Sequence, residues 1–142
     1  MPVSSKKFGG GMHAVDTNLV VRLFVHDDAA QVAAARAALA SDAVFIPKSV
    51  ILEFEWVMRG VYGEAREPIA TAIETILKTA NVHVEDAFNV ARALEWFRNG
   101  MDFADALHVA SSSHVEAFLS FDAALRRRVS KLRIKPPVVV PS

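Results

Sequence analysis

From His13 onward, short apolar runs alternate with stretches in which apolar residues recur at helical spacing. Between Ile69 and Leu77, for example, apolar residues lie three or four positions apart, which predicts the buried face of a helix. Strands are predicted at about 13–16, 43–47, 81–84, 116–121 and 136–141. Helices are predicted after the first strand, over 28–39, 49–60 and 67–79, and from about 86, 102 and 122. This alternation favours an α/β fold with a largely parallel sheet.

The chain has 142 residues, which suits one compact domain with a core and leaves no room for a second. Residues 1–11 are polar and glycine-rich, so we expect a flexible N-terminal arm before a single domain over 12–142. The start residue is then Met1 or Met12. No stretch approaches about 18 consecutive apolar residues, so we expect an unexported, cytoplasmic protein with no membrane span.

Charge and composition narrow the classes of function. The chain carries 16 Lys and Arg residues against 16 Asp and Glu residues. Its formal net charge of zero argues against nucleic-acid binding by bulk charge, so any such contact depends on local patches. The absence of cysteine excludes thiol nucleophiles, disulfide bonds and thiolate zinc sites.

Four carboxylates are the best candidates for a shared site. Asp16, Asp105 and Asp122 stand where short apolar runs give way to helices, and Glu53 belongs to a helix. Because the carboxyl ends of parallel strands meet at one edge of a sheet, we expect all four to meet there. Oxygen-only, acidic sites suit hard cations such as Mg²⁺ and Mn²⁺.

Each acid also has a plainer explanation. Aspartate before a helix is a favoured N-cap, which accounts for Asp16, Asp102 or Asp122 taken singly. Glu53 has apolar helical neighbours, so we expect it to be half-buried and to require a cation or an ion pair. Glu55 has Arg59 four residues later, which predicts an ordinary surface ion pair.

In these residues the chain resembles the PIN-domain ribonucleases, and within them the VapC-like toxins of bacterial toxin–antitoxin pairs. The resemblance covers about 13–135. The segments that carry it are V-D-T-N from Val15, L-E-F-E-W-V-M from Leu52, D-F-A-D-A-L-H-V-A from Asp102 and F-L-S-F-D-A-A-L from Phe118. The residues before Met12 depart from the family pattern.

The resemblance implies a three-layer α/β/α sandwich with a mostly parallel central sheet, and it assigns roles to residues of these segments. The family's catalytic and metal-binding quartet matches Asp16, Glu53, Asp105 and Asp122, and Asp102 matches an additional acid. Supporting polar positions match Thr17, Asn18 and Ser120.

The implied activity is hydrolysis of RNA phosphodiester bonds with Mg²⁺ or Mn²⁺. The implied partners are an RNA substrate, a cognate VapB-like antitoxin and a second copy of the chain in a homodimer. Without metal, clustered carboxylates repel one another, so at least one should have a raised pKa, and activity should rise with pH.

The strongest cationic segment holds Arg126, Arg127, Arg128 and Lys131, and it continues to Lys135 without an acid. We expect these side chains to contact RNA phosphates. A solvated helix face or a surface for a partner protein is the alternative interpretation.

Two other functions stay open. A receiver-like signalling domain also gathers aspartates around Mg²⁺, but it requires adjacent acids after the first strand, and here Thr17 and Asn18 follow Asp16. A catalytically inactive PIN-like module that only binds RNA or protein is the second alternative, and the intact quartet argues against it.

Overall fold

The computed structural model describes residues 11–142, so the arm predicted at 1–11 lies outside the described residues except for Gly11. The chain divides into two compact units, Met1–Ala87 and Phe88–Ser142. The strands of the described part are β1 (Met12–Ala14), β2 (Ala43–Ile46), β3 (Val82–Val84), β4 (Phe118–Leu119) and β5 (Val138–Val139). Its helices are α1 (Thr17–Arg22), α2 (Ala29–Ser41), α3 (Lys48–Gly60), α4 (Arg66–Lys78), α5 (Ala87–Arg98), α6 (Phe103–Ala110) and α7 (Ala123–Lys131).

The first unit is built on a parallel sheet in the order β1-β2-β3. Met12 pairs with Ala43 at one end of the register, and Ile46 pairs with Val84 at the other. Each connection between neighbouring strands contains helices, as parallel pairing requires. The α/β fold predicted from the alternating pattern is therefore confirmed.

Helices α1, α3 and α4 bury apolar faces in this unit. Val20, Ile51, Phe54 and Ile73 are each fully buried, and the Phe54 ring lies 5.5 Å from the ring of Phe24. Burying a large apolar side chain contributes about 1.5–3 kcal/mol, so this cluster fixes how α1 packs on α3.

The second unit contains a two-stranded parallel sheet, with Phe118 paired to Val138 and Leu119 to Val139. Its core includes Phe97 and Phe103, whose rings meet edge to face at 5.4 Å. The parallel strands that the sequence predicts thus occur in two separate sheets of the described part, of three and two strands.

A tight turn after α5 sets the start of α6. Gly100 has φ +102°, and the amides of Gly100 and Met101 donate to the carbonyls of Phe97 and Trp96. This is the Schellman arrangement, in which a left-handed residue satisfies the last carbonyls of a helix. The turn delivers Asp102 to the position immediately before α6.

The helices found within residues 11–142 are all too short or too polar to cross a membrane.

Candidate active site

Asp16 and Glu53 reach the same cavity of the first unit. The cavity measures about 340 Å³ and is lined by Asp16, Thr17, Asn18, Val21, Glu53, Val57 and Tyr62. Four residues that the sequence assigns to a site in this half of the chain therefore lie together.

Asp16 follows β1 and caps α1. Its backbone is extended, and its carboxylate accepts a hydrogen bond from the Leu19 amide at 3.1 Å. Side chains at this position satisfy amide groups that the first helical turn leaves without partners. The capping explanation is thus correct for Asp16, and the bond engages one of its two carboxylate oxygens.

Thr17 fixes the orientation of Glu53. Its hydroxyl donates a hydrogen bond to Glu53 Oε1, and its side chain is buried at 8% exposure. Thr17, which the resemblance matches to a supporting polar position, thus contacts one of the four candidate ligands, and its supporting role stays a prediction. Asn18 is exposed and also lines the cavity, where its amide offers both a donor and an acceptor.

The expected burial of Glu53 is wrong, because Glu53 is exposed and Glu55 is the buried carboxylate of α3. Glu55 is 2% exposed, and its Oε2 accepts a hydrogen bond from Arg59 Nε at 2.7 Å. The predicted pairing with Arg59 is confirmed, but it is not an ordinary surface pair. The burial of Glu55 could be predicted from the sequence, because Ile51, Phe54 and Met58 form an apolar stripe that includes position 55.

In the second unit, Asp102 and Asp122 are also N-caps. The Asp102 carboxylate accepts from the Asp105 amide, and the Asp122 carboxylate accepts from the Leu125 amide, each at 3.1 Å. Ser120 stabilises the second turn, because its hydroxyl accepts a hydrogen bond from the Asp122 amide at 3.0 Å. The supporting role expected of Ser120 is consistent with that bond.

Asp105 differs from its neighbours because its carboxylate lies within the first turn of α6 and is half-buried. Burial raises the pKa of Asp105 above its ordinary value, and the negative charges of Asp102 and Asp122 raise it further. His108 acts in the opposite direction. This agrees with the expectation that at least one clustered carboxylate has a raised pKa.

The expectation that Asp105 follows a strand is wrong. Asp16 and Asp122 follow strands β1 and β4, but Asp105 follows a turn between two helices, α5 and α6. The apolar residues before Asp105 are instead Met101 and Phe103, which are buried in the core of the second unit. An apolar run of that length does not distinguish a strand from a buried turn.

The four candidate cations of α7 have different surroundings. Arg127 and Lys131 are exposed and lie one helical turn apart. Arg126 is half-buried and donates to the Ser120 carbonyl at 3.1 Å, beside the turn that carries Asp122. Arg128 lies over Gly100, where an added Cβ would sit 3.1 Å from its guanidinium. Arg127 and Lys131 are therefore the more accessible pair.

Sequence reasoning overlooked Tyr62 as a site residue. Its side chain lines the cavity, and its hydroxyl oxygen accepts a hydrogen bond from Arg22 at 3.5 Å. Tyr62 follows Val61, the C-cap of α3, and is not part of an apolar period, so no sequence pattern points to the cavity.

Within residues 11–142, no group of three or more His, Asp or Glu side chains is arranged so that it could hold a metal ion. The first unit brings two carboxylates to one cavity. Mg²⁺ commonly keeps several waters and takes one or two protein carboxylates together with substrate phosphates. The oxygen donors of this cavity therefore fit a water-rich Mg²⁺ or Mn²⁺ ion by their chemistry.

The protein thus belongs to the class of α/β proteins with a parallel sheet and a cavity lined by oxygen donors. Such donors suit hard cations such as Mg²⁺ and Mn²⁺. Residues 14–131 match the family model of the PIN domain. Since the match covers most of the chain, the protein belongs to the PIN domain family, which confirms the predicted PIN domain and the predicted α/β fold class. The comparison with curated proteins gives no match. PIN domains are generally metal-dependent nucleases, they typically bind divalent metals, and they act on RNA.

Proposed function

We propose that this protein is an endoribonuclease that requires Mg²⁺ or Mn²⁺ and is the VapC-like toxin of a toxin–antitoxin pair. The observation that carries the nuclease proposal is the cavity in which Asp16 and Glu53 lie together in a PIN domain. Family membership also disfavours the receiver-like alternative.

Asp16, Glu53, Asp105 and Asp122 are the residues proposed to hold the metal and to be required for cleavage, with Asp102 as an additional acid. When bound, the metal supplies water activation and neutralises charge on the scissile phosphate. Carboxylates are needed because hard cations prefer charged oxygen donors.

The remaining polar residues hold these acids in place. Thr17 fixes Glu53 by a hydrogen bond between two helices, and Ser120 fixes the backbone of Asp122. Asp102 caps α6, the helix that carries Asp105. Such contacts around metal-binding residues typically change affinity or activity by about 10–100-fold when they are removed.

RNA is proposed to contact the cations of α7, namely Arg126, Arg127, Arg128 and Lys131. Exposure favours Arg127 and Lys131 as phosphate contacts. In a chain with zero net charge, such a local patch is what binds a polyanion.

The VapB-like antitoxin and the homodimer rest on the resemblance alone, and the proposed cytoplasmic location rests on the sequence, in which no long apolar stretch occurs. The antitoxin proposal predicts that the product of a small neighbouring gene forms a stable complex with the purified protein and inhibits its cleavage of RNA. Sedimentation of the purified chain tests the homodimer.

The decisive experiment is cleavage of a panel of structured and single-stranded RNAs by partner-free protein. Reactions contain Mg²⁺, Mn²⁺ or EDTA, and the variants are Asp105→Asn and Glu53→Gln. Glu74→Gln is a matched control, because Glu74 is a partly exposed carboxylate paired with Lys78 on α4.

We expect the wild type and Glu74→Gln to cleave with metal, and the other two variants to lose cleavage. RNA binding that persists without any cleavage would favour the inactive module. Cleavage that survives EDTA, or that both Asp105→Asn and Glu53→Gln retain, would contradict the proposed mechanism.

A further inference from the structure

Tyr62 places a phenol hydroxyl in the wall of the cavity that holds Asp16 and Glu53. The backbone amide of Tyr62 donates to the Val57 carbonyl at 3.2 Å, and Gly63 continues the turn at φ +65°. Tyr62 therefore occupies a defined turn at the end of α3.

Arg22 contacts this hydroxyl. The Arg22 guanidinium is held by Asp27 and Gln31, with Nε 2.7 Å from the Gln31 oxygen, and Nη1 lies 3.5 Å from the Tyr62 oxygen. A guanidinium has donors only, so the Tyr62 oxygen must accept this bond. The hydroxyl proton is consequently available for a second hydrogen bond, directed to an acceptor.

A phosphate oxygen of a bound substrate is an acceptor that suits this hydroxyl. Asp16 and Glu53 repel an anion, while the Thr17 hydroxyl is already used on Glu53. Tyr62 and Asn18 remain as side-chain donors in the cavity wall. A donor of this kind offsets part of the repulsion that a phosphate meets.

We propose that Tyr62 is a substrate-contacting residue whose hydroxyl donates a hydrogen bond to a phosphate oxygen of bound RNA, and that Arg22 positions it. This inference rests on the proposed nuclease function and extends it to the residue that contacts the phosphate.

Tyr62 is the only tyrosine of the chain, so 3-fluorotyrosine labelling places one ¹⁹F probe at this position. The probe ligand is an RNA that the wild type cleaves, added with Mg²⁺ to labelled Asp105→Asn protein. We expect the ¹⁹F resonance to shift with RNA occupancy and to respond much less to Mg²⁺ alone. An RNA that binds tightly without moving the resonance would overturn the inference.

Kinetics test the hydroxyl itself. Tyr62→Phe keeps the ring and removes one donor, so we expect kcat/KM for the RNA to fall by about tenfold or more. Thr75→Val is the matched control, because it removes a hydroxyl of the same unit that bonds only to the Thr71 carbonyl of its own helix among the described residues. Equal activity of Tyr62→Phe and Thr75→Val would count against the proposal.

A double-mutant cycle tests the positioning role of Arg22. We expect Arg22→Gln to lower kcat/KM in the wild-type background and to have little further effect in Tyr62→Phe protein. Additive effects would mean that Arg22 acts on the fold and not through Tyr62.

The outcomes separate this inference from the proposed function. A wild type that cleaves RNA, with Tyr62→Phe unaffected and the ¹⁹F signal unmoved, overturns the role of Tyr62 and leaves the nuclease intact. A wild type that neither binds nor cleaves any RNA of the panel overturns both.

Discussion

The Thr17 hydroxyl donates a hydrogen bond to the Glu53 carboxylate and so joins the first turn of α1 to the middle of α3. Thr17 is buried whereas Glu53 is exposed in the cavity. The direction of a candidate metal ligand therefore depends on a side chain from another helix.

Thr17→Val should reduce RNA cleavage by about tenfold or more, because Glu53 loses the bond that orients it. Thr17→Ser keeps the hydroxyl and should restore most of the activity. Initial rates at saturating Mg²⁺ measure the effect, and urea unfolding shows whether the fold has changed. Equal rates for the Val and Ser variants would contradict the role assigned to the hydroxyl.

Replacements of Asp122 should separate helix capping from catalysis. Asn and Asp are both favoured N-caps, so Asp122→Asn should keep stability but lose cleavage. Asp122→Ala should lose cleavage and also destabilise the protein by about 0.5–2 kcal/mol. Chemical denaturation of both variants checks the difference, and identical unfolding curves would show that the cap contributes nothing.

The pH dependence of cleavage should reflect Asp105. The raised pKa of Asp105 delays its deprotonation, so the acidic limb of kcat/KM should lie at higher pH than an isolated aspartate would give. Asp102→Asn keeps a capping residue and removes a negative charge, so the limb should move to lower pH. Asp28→Asn, a change at the N-cap of α2, is the matched control and should not move it.

The raised pKa of Asp105 also predicts how the stability of metal-free protein changes with pH. The folded state holds the Asp105 proton to a higher pH than the unfolded state, whose pKa is near the ordinary value of 3.8. The stability contributed by the protonated form is therefore complete below that value and is lost as pH rises through the folded pKa. Asp105→Asn should remove this loss, which denaturation at a series of pH values in EDTA would show.

The buried ion pair between Glu55 and Arg59 on α3 should contribute more to the free energy of unfolding than an exposed pair with the same i, i+4 spacing. Arg59→Met leaves the Glu55 carboxylate buried without this partner and should cost about 1–3 kcal/mol. Lys78→Met removes the partner of Glu74 in a pair with the same spacing on α4, which is much more exposed, and should cost about 0.5 kcal/mol or less. Urea unfolding compares the two, and similar costs would contradict the difference attributed to burial.

Arg127→Gln and Lys131→Gln should weaken RNA binding and lower its salt dependence. Each phosphate contact that is lost should reduce the slope of log K against log salt by about 0.7–1. Arg36→Gln, which changes an exposed arginine of α2, is the control. Slopes that stay unchanged in both α7 variants would favour a solvated face or a protein-binding surface.

Much of the fold could be predicted, because periodicity and turn residues are local signals. The helix predicted at 67–79 is found as α4, from Arg66 to Lys78, and the strand predicted at 43–47 is found as β2. Asp28 and Gly100 mark helix ends as their conformational preferences require. The pairing of β4 with β5 apart from the other three strands has no counterpart in the sequence pattern.

The site was less predictable because its contacts join distant segments. The bond from Thr17 to Glu53 and the bond from Arg22 to Tyr62 each connect residues of α1 to α3 or the turn after it. Charge spacing predicts a surface position for Glu55 and burial for Glu53, and the structure shows the reverse. The spacing is a poor guide because a partner four residues away occurs in surface and buried ion pairs alike. Only the apolar stripe on either side of Glu55 distinguishes the two cases.

The capping aspartates carry a consequence for how this protein can change during evolution. Asp16 and Asp122 begin helices, so a lineage that abandoned catalysis would still be selected for Asn, Ser or Thr at these positions. Glu53 and Asp105 cap no helix, so the preference for capping residues does not restrict these two positions. We expect inactive descendants to show this uneven decay, and an alignment in which positions 16 and 122 vary as widely as 53 and 105 would contradict it.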